Sequence, residues 1–535
     1  MKILLIQPPI HDFYLTQKRT IPYGLASIAA TLKQAGFDIQ IFDALATNKT
    51  KPLPWPDELM YLDPFFGRAD RSPFALFHQY RHFGYSFQHI GKIARDANAF
   101  ITGISSLFTA YSDQALYTAQ VVREWDPKTI IVLGGHHPTH FPREVLAHPA
   151  VDYVLRGEGE QSMPEMVKAL MNNASVNNIP GIAYKRAEND YVINSPAIVK
   201  NLDRLPLPDM TDINQRYYQR SKQKSLTLVA SRGCPMKCSY CAIGGSQLTF
   251  RKKSVEYIID EMSAGIGEAQ AAFIDFEDEN ISFDRQWFMA LLKSIQKTFS
   301  SKLLTLRAMN GLYPNTLDPE MITSMKHAGF NALNLSVATF SKVQLRRFRR
   351  PDVSRSLSQI IQTAQTLNLK STSYLLAGAL NQDPFSSVDD LIALFQMGTV
   401  AGLSVFYPAP GSADFDFLSQ AGMLPKTFSC MRATSIPVTH ICTRLQLITL
   451  LRLSRIINYI QQLTEQNIPI PKPLPCNQNI FTPDQPKDQM GLLLLSWFLY
   501  DGIIRGVDHD YRIYEHQSDQ PVVYYFLARF WIDTK

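Results

Sequence analysis

The sequence predicts an α/β protein: a Rossmann-like, flavodoxin-type unit, then a partial (β/α)6 barrel, then a mainly helical C-terminal region. Three observations predict this. Short β-rich runs alternate with helix-period segments over residues 1–175; the alternation resumes after a proline-spaced stretch and repeats about six times across 225–424; from 425 it stops and long apolar helix patterns take over. Strands alternating with helices build parallel sheets covered on both faces. With 45% hydrophobic and 19% charged residues in a chain of 535, a disordered protein is excluded and several cores are expected.

In the first unit the strand candidates are KILLIQ (2–7), FDIQIF (37–42), FITGIS (100–105), TIIVLGG (129–135) and VDYVLRG (151–157). Helix-period segments at 23–36, 110–125 and 160–173 lie between or after them. In such sheets ligands sit outside the carboxyl ends of the strands. An aromatic-rich insert at 48–98, from Trp55 to Phe87, reads as a packed lid. Residues 176–224 read as a connecting segment whose NLDRLPLPDM (201–210) has the proline spacing of an extended linker.

The second unit, 225–424, offers strands at 225–231, 271–277, 303–309, 332–338, 371–378 and 403–408, with helical patterns between them. Six strands are too few for the closed eight-fold barrel, so an open one is expected, its site at the strands' carboxyl ends. In the last region, 425–535, TRLQLITLLRLSRIINYIQQL (443–463) is one helix pattern and IPIPKPLP (468–475) a proline-rich turn, which together read as a helical cap.

A formal charge of +6 is mild for this length, and the basic run QLRRFRRPD (344–352) reads as a solvated helix end; no nucleic-acid partner is expected. The start, MKILLIQPP, shows no secretory pattern, and GLLLLSWFLY (491–500) is far short of the roughly 20 residues that span a bilayer. A cytoplasmic location is therefore expected, where clustered cysteines indicate metal or redox chemistry before disulfides.

That cluster is SRGCPMKCSYCA (231–242), which places Cys234, Cys238 and Cys241 just after the first barrel strand. A structural zinc site wants four ligands, and no other Cys or His lies between 201 and 325, leaving only a remote fourth ligand. An inert loop of exposed thiols is a liability. An iron–sulfur cluster fits better: three thiolates hold three irons of a 4Fe-4S cube and leave one iron open. Cys430, Cys442 and Cys476 are widely spaced and read as buried structural residues.

Cys-x3-Cys-x2-Cys after the first strand of a partial barrel, with Tyr240 before the last cysteine, resembles the radical S-adenosylmethionine (radical SAM) enzymes. The resemblance implies that the open iron binds S-adenosylmethionine, whose reductive cleavage gives a 5′-deoxyadenosyl radical, with flavodoxin or ferredoxin as electron donor. RKKSVEYIIDEM (251–262), AAFIDFEDENIS (271–282), 309–339 and FYPAPGSADF (406–415) resemble the branch that also carries a cobalamin domain. By that resemblance Tyr240, Glu277, Asp278, Ser336 and Arg349 or Arg350 would hold S-adenosylmethionine. One departure stands out: the branch has Glu after Ser-Val, where this chain has Ala338.

QPP (7–9), IPYGLASIAATLKQAGF (21–37), GISS (103–106), LGGHHPT (133–139) and VDYVLRGEGE (151–160) resemble the cobalamin-binding domain of that branch. The resemblance implies cobalamin contacts from Gly24, Ser105, Ser106, Thr109, Gly134, Gly135, His137, Gly157 and Glu158; glycines at strand ends let backbone approach a bulky ligand. The Asp-x-His-x-x-Gly pattern of a histidine-ligated cobalt is reduced to His11 alone, which reads as a loop or capping residue. The implied activity is methyl transfer to an unactivated carbon of an unknown substrate. Cyclisation or rearrangement with the same cofactors is the alternative, and a cobalamin or redox sensor without turnover is an alternative of another class.

Overall fold

The computed structural model describes residues 1–14, 21–245 and 249–533. The first unit is a seven-stranded sheet in the order Asp190–Ile193, Ile182–Ala187, Tyr153–Leu155, Ile130–Gly134, Ile101–Ser105, Lys2–Gln7, Asp38–Asp43. The five expected strands are parallel. Period-2 alternation explains the two-faced core. Ile3 and Leu5 enter one core with the helices Tyr23–Gln34 and Gly159–Met171, while Leu4 and Ile6 enter the other with Phe87–Ala97 and Ser112–Trp125. The strand order reverses beside Lys2–Gln7, which places the ligand crevice at the loops after it and after Ile101–Ser105.

Two boundaries differ from the sequence reading. The connecting segment contributes a hairpin, Ile182–Ala187 and Asp190–Ile193, that extends the first sheet antiparallel to Tyr153–Leu155. The aromatic insert ends earlier than 98, because Phe87–Ala97 is a helix of the sheet's own cover. The insert is also no detached lid: Phe66, Phe74 and Tyr80 lie in the same hydrophobic core as the barrel and the C-terminal helices.

The second unit has six parallel strands as two three-stranded sheets, Lys224–Leu228/Ala271–Phe276/Leu303–Ala308 and Ala332–Ala338/Lys370–Ala377/Val400–Val405. Single bridges, Leu306 to Phe330 and Leu312 to Leu335, join the sheets. The helices between them begin at side-chain caps, such as Asp284 accepting from Trp287 N and Asp318 from Met321 N. The edge strand Val400–Val405 is covered by the helix Arg444–Glu465, whose Asn458 amide donates to Ala401 O and accepts from Ala401 N, both at 2.8 Å. That cover takes the place of barrel closure. The C-terminal region adds the helices Lys487–Asp501 and Gln520–Asp533 and a short hairpin, and its Leu447, Trp497 and Phe526 belong to the barrel's own core. It is therefore part of the barrel's packing and not a separable cap. Among the described residues no helix is long and apolar enough to cross a membrane.

Candidate functional site

The cysteine loop is rooted on a two-residue ladder, Ser231–Arg232 against Arg251–Lys252. Beneath it Asp278, at the end of the strand Ala271–Phe276, accepts from Ser231 N and Oγ at 2.5 Å each and from Ala230 N at 3.2 Å. Burial raises the Asp278 carboxyl to about 7, against the pull of those donors. Expected at S-adenosylmethionine, Asp278 instead spends both oxygens on the root of the loop. Gly233 takes a positive φ of 82° to turn the chain and donates its N–H to Glu279. The far side is clamped by Ser239, which donates N–H to Phe348 O at 3.1 Å and Oγ to Asp414 at 3.1 Å.

None of the six cysteines forms a disulfide among the described residues. Cys238 is buried, and burial raises the Cys234 thiol, with Cys241 and Cys238 close enough to add to the shift. Among the described residues, the one set of three Cys, His, Asp or Glu ligand atoms all within 4.8 Å of one another is Asp508, His509 and Asp510, the first buried and the other two exposed. The three loop thiols are thus neighbours without the spacing of ligands to a single ion, which suits a cluster in which each takes a different iron. Cys430, Cys442 and Cys476 sit apart from this loop: Cys430 and Cys442 are buried, with the Cys442 thiol pushed up to about 12 by burial, and Cys476 contacts the carbonyl of Gln478.

Of the two adjacent arginines, Arg350 faces the cysteines. It is 9% exposed and donates to Tyr240 Oη (3.1 Å), Ser336 O (2.6 Å) and Ser336 Oγ (3.0 Å), with Cys238 Sγ at 3.7 Å. Its guanidinium also stands over the Tyr313 ring at 4.8 Å. Arg349 is exposed, at φ 52°. Tyr240 packs edge-on against Phe348 at 4.9 Å. The Arg350 Nε is buried without a hydrogen-bond partner, an unused cationic donor beside the thiols that suits a carboxylate such as that of S-adenosylmethionine. Glu277 is half-buried at the strand end, its carboxyl raised by burial and by Asp275. Ala338, at φ 75° on a bulge after Ser336, brings no carboxylate to this strand end.

On the first unit, Ser105 ends one strand and Ser106 and Thr109 follow it, while Gly134 ends the next strand and Gly135 and His137 follow. Ser106 Oγ and His137 Nδ1 are buried without hydrogen-bond partners. In the same loop Leu107 and Phe108 remain 44% and 55% exposed, and nothing stands within 4 Å of a Cβ built on Gly24. Unmet polar atoms beside open apolar side chains suit a corrin, whose body is apolar and whose rim carries amides. Two glycines have a different reason from the one expected. A Cβ on Gly135 (φ 126°) would lie 2.4 Å from Ser106 O, and one on Gly157 (φ 80°) 2.4 Å from Ala197 O, so the backbone itself demands them. Gly134 would meet only Leu155 O, at 3.6 Å. Glu158 is held by protein partners: Arg251 grips both its oxygens at 2.8 Å, and Val199 N donates to it at 2.5 Å. His11 lies in a strand, bonded to His82 at 3.0 Å, its imidazole lowered to about 4 by burial and then by His82.

The loops of the two units meet. His140 packs on Gly411, Phe141 lies 6.0 Å from Phe415, and Phe428 closes on His137 at 4.9 Å. Tyr407, 39% exposed, has its phenol raised by burial and then by the nearby Cys241, and Tyr14 across the gap is pushed up to about 12 by burial, then Asp12, with Tyr407 among the smaller causes. The loops at both sets of strand ends thus pack against each other. Sequence reasoning gave no role to Arg232, Arg251, Glu160, Ser239 or Asp414, although Ser239 lies inside the cysteine motif, Arg232 just before it and the other three in segments that carry the resemblance.

Residues 78–167 match the B12 binding domain model and residues 228–392 the radical SAM superfamily model. An uncharacterized methyltransferase of Pyrococcus horikoshii is 25% identical over 71% of this chain and 74% of its own. A cytidylyl-2-hydroxyethylphosphonate methyltransferase of Streptomyces wedmorensis is 25% identical over 80% of this chain and 78% of its own. An anaerobic magnesium-protoporphyrin IX monomethyl ester cyclase of Synechocystis is 26% identical over 49% of this chain and 46% of its own. In fold, the chain resembles the radical S-adenosylmethionine methyltransferase TsrM of Kitasatospora setae solved with cobalamin and a [4Fe-4S] cluster, at a TM-score of 0.59 and 14% identity over 79% of this chain and 75% of that one.

Proposed function

The chain is a radical SAM enzyme with a cobalamin-binding domain, and from that premise we propose that it transfers a methyl group to an unactivated carbon of an organic substrate. The observation that carries this reading is the reach of the relatives. Two relatives named as methyltransferases align over 71% and 80% of the chain, farther than the Synechocystis cyclase at 49%, while two others so named align over 27% and 31%. When bound, the cluster supplies the electron that cleaves S-adenosylmethionine, and the corrin supplies a methyl carrier.

The chain's own residues do the rest. Cys234, Cys238 and Cys241 hold the cluster on a loop that Asp278 pins from below and Ser239 clamps from the side. Arg350 ties Tyr240 to Ser336 and offers its free Nε to the carboxylate of S-adenosylmethionine. Ser106 and His137 offer their unmet polar atoms to the corrin rim. Phe428 and Phe415, packed on the first unit's loops, help to keep water from the space between the cofactors, where a reactive radical must meet its target first.

The test supplies reconstituted enzyme, under anaerobic conditions, with S-adenosylmethionine bearing a deuterated methyl group and an extract of candidate substrates. The reading expects a cobalamin-dependent product that carries the label. Consumption of a substrate without label in any product would support the second reading, cyclisation, which the cyclase relatives favour.

A further inference from the structure

Arg232, two residues before Cys234, joins the cysteine loop to a loop of the cobalamin-binding domain. Its guanidinium donates to Glu160 Oε1 at 2.6 Å and lies 3.5 Å from Glu158 Oε1. Both carboxylates belong to the segment that opens with Gly157 at the end of the strand Tyr153–Leu155. Arg232 stands opposite Arg251 in the two-residue ladder, and Arg251 holds Glu158 with both arms of its fork. Ser27 donates to the same oxygen of Glu160 at 3.0 Å. The four side chains are 5–15% exposed and balance two positive charges against two negative. A second set beside it, Lys253 with Glu261 and Tyr23 at 2.7 Å each, also crosses between the units, and Lys253 N donates to Ala230 O at 2.9 Å.

Buried ion pairs add little net stability, because desolvation offsets their attraction. What a forked guanidinium imposes is geometry, since its donors fix where a carboxylate stands. Here that geometry ties the root of the thiol loop to the glycine loop of the other cofactor. We propose that Arg232 is a positioning residue that couples the two cofactor sites: through Glu158 and Glu160, building the cluster sets the Gly157 loop for cobalamin, and cobalamin in turn sets the thiol loop. Linkage makes the effect reciprocal. The proposal rests on cobalamin and the cluster being held at these loops.

The test is the dissociation constant of hydroxocobalamin, measured anaerobically on the full chain with the cluster built and after its removal by chelation. Coupling of ordinary size gives a ratio of about fivefold or more between the two forms. Glu160→Gln, which keeps the shape and removes the charge, is expected to bring that ratio below about twofold, and Arg232→Lys to bring it part of the way. Lys33→Gln, which breaks the ion pair with Asp209 between the first unit and the connecting segment, away from both loops, is expected to leave the ratio unchanged. A ratio near one in the wild type, or the wild-type ratio persisting in Glu160→Gln, overturns the proposal. Failure of wild-type protein to bind cobalamin in either form overturns instead the cofactor reading beneath it, and the two failures are told apart by that control.

Discussion

Replacing Arg350 by lysine keeps the positive charge and removes the fork. In the structure one arm, Nη1, serves Tyr240 and Cys238 while the other, Nη2, serves the carbonyl and hydroxyl of Ser336. A single ammonium on a shorter reach stands on one side or the other, so two hydrogen bonds are lost. A bond from a charged donor is worth about 1.5–3 kcal/mol, so at the low end the lost pair amounts to about 3 kcal/mol. That is about 100-fold in the equilibrium that sets Tyr240 and Ser336 in place. Iron content after reconstitution is expected to match the wild type, since the three thiolates are untouched. The rate of 5′-deoxyadenosine formation, followed by chromatography, is expected to fall by about that factor. Arg349→Ala, at the exposed neighbour, is expected to stay within about twofold. Full activity in Arg350→Lys, or a loss in Arg349→Ala as deep as in Arg350→Lys, would refute the assignment of the inward arginine.

Each of Cys234→Ala, Cys238→Ala and Cys241→Ala is expected to abolish cluster assembly, read as iron per chain and visible absorbance; normal iron in any one of them counts against the ligand set. Stability of the cofactor-free protein is expected to fall on acidification, because burial lowers His11 and His137 to about 4, from an ordinary value near 6.5. The unfolded chain binds those protons first, so stability is full above about pH 6.5 and is lost towards pH 4, by at most about 3 kcal/mol for each imidazole. His137→Phe, which keeps ring contacts at Phe141 and Phe428, is expected to flatten that slope, and an unchanged slope in thermal unfolding would contradict it. Truncation at 430 is expected to yield no cooperatively folded barrel by circular dichroism, since it strips Asn458 from the edge strand and Leu447 and Trp497 from the shared core. A truncated chain that builds a cluster would show the helices to be an accessory.

The alternating α/β pattern, the open six-strand barrel and the place of the three-cysteine loop after its first strand were legible because each is a local signal: a period, a count of strands, a spacing of cysteines. What was not legible depends on contacts between distant residues or on backbone angles. Arg349 and Arg350 are equivalent in sequence, and only the left-handed turn at Arg349 decides which enters the site. Gly135 and Gly157 were read as room for a ligand, yet the carbonyls of Ser106 and Ala197 already exclude a side chain there. That Arg251, far along the chain, holds Glu158 was not legible either. The hairpin at 182–193 did leave a trace, alternating residues around Asn189 at φ 61°, but short runs beside a proline-rich linker read as connection. The separate cap failed for a related reason, since a helix pattern does not reveal that its apolar face completes another domain's core.

The most direct measurement is a product count from the wild-type enzyme, reconstituted anaerobically with iron, sulfide and a reductant and given S-adenosylmethionine with and without cobalamin. 5′-Deoxyadenosine is expected in both cases, and S-adenosylhomocysteine only where cobalamin is present. Absence of 5′-deoxyadenosine from a preparation with full iron content, or S-adenosylhomocysteine formed equally without cobalamin, would contradict the account.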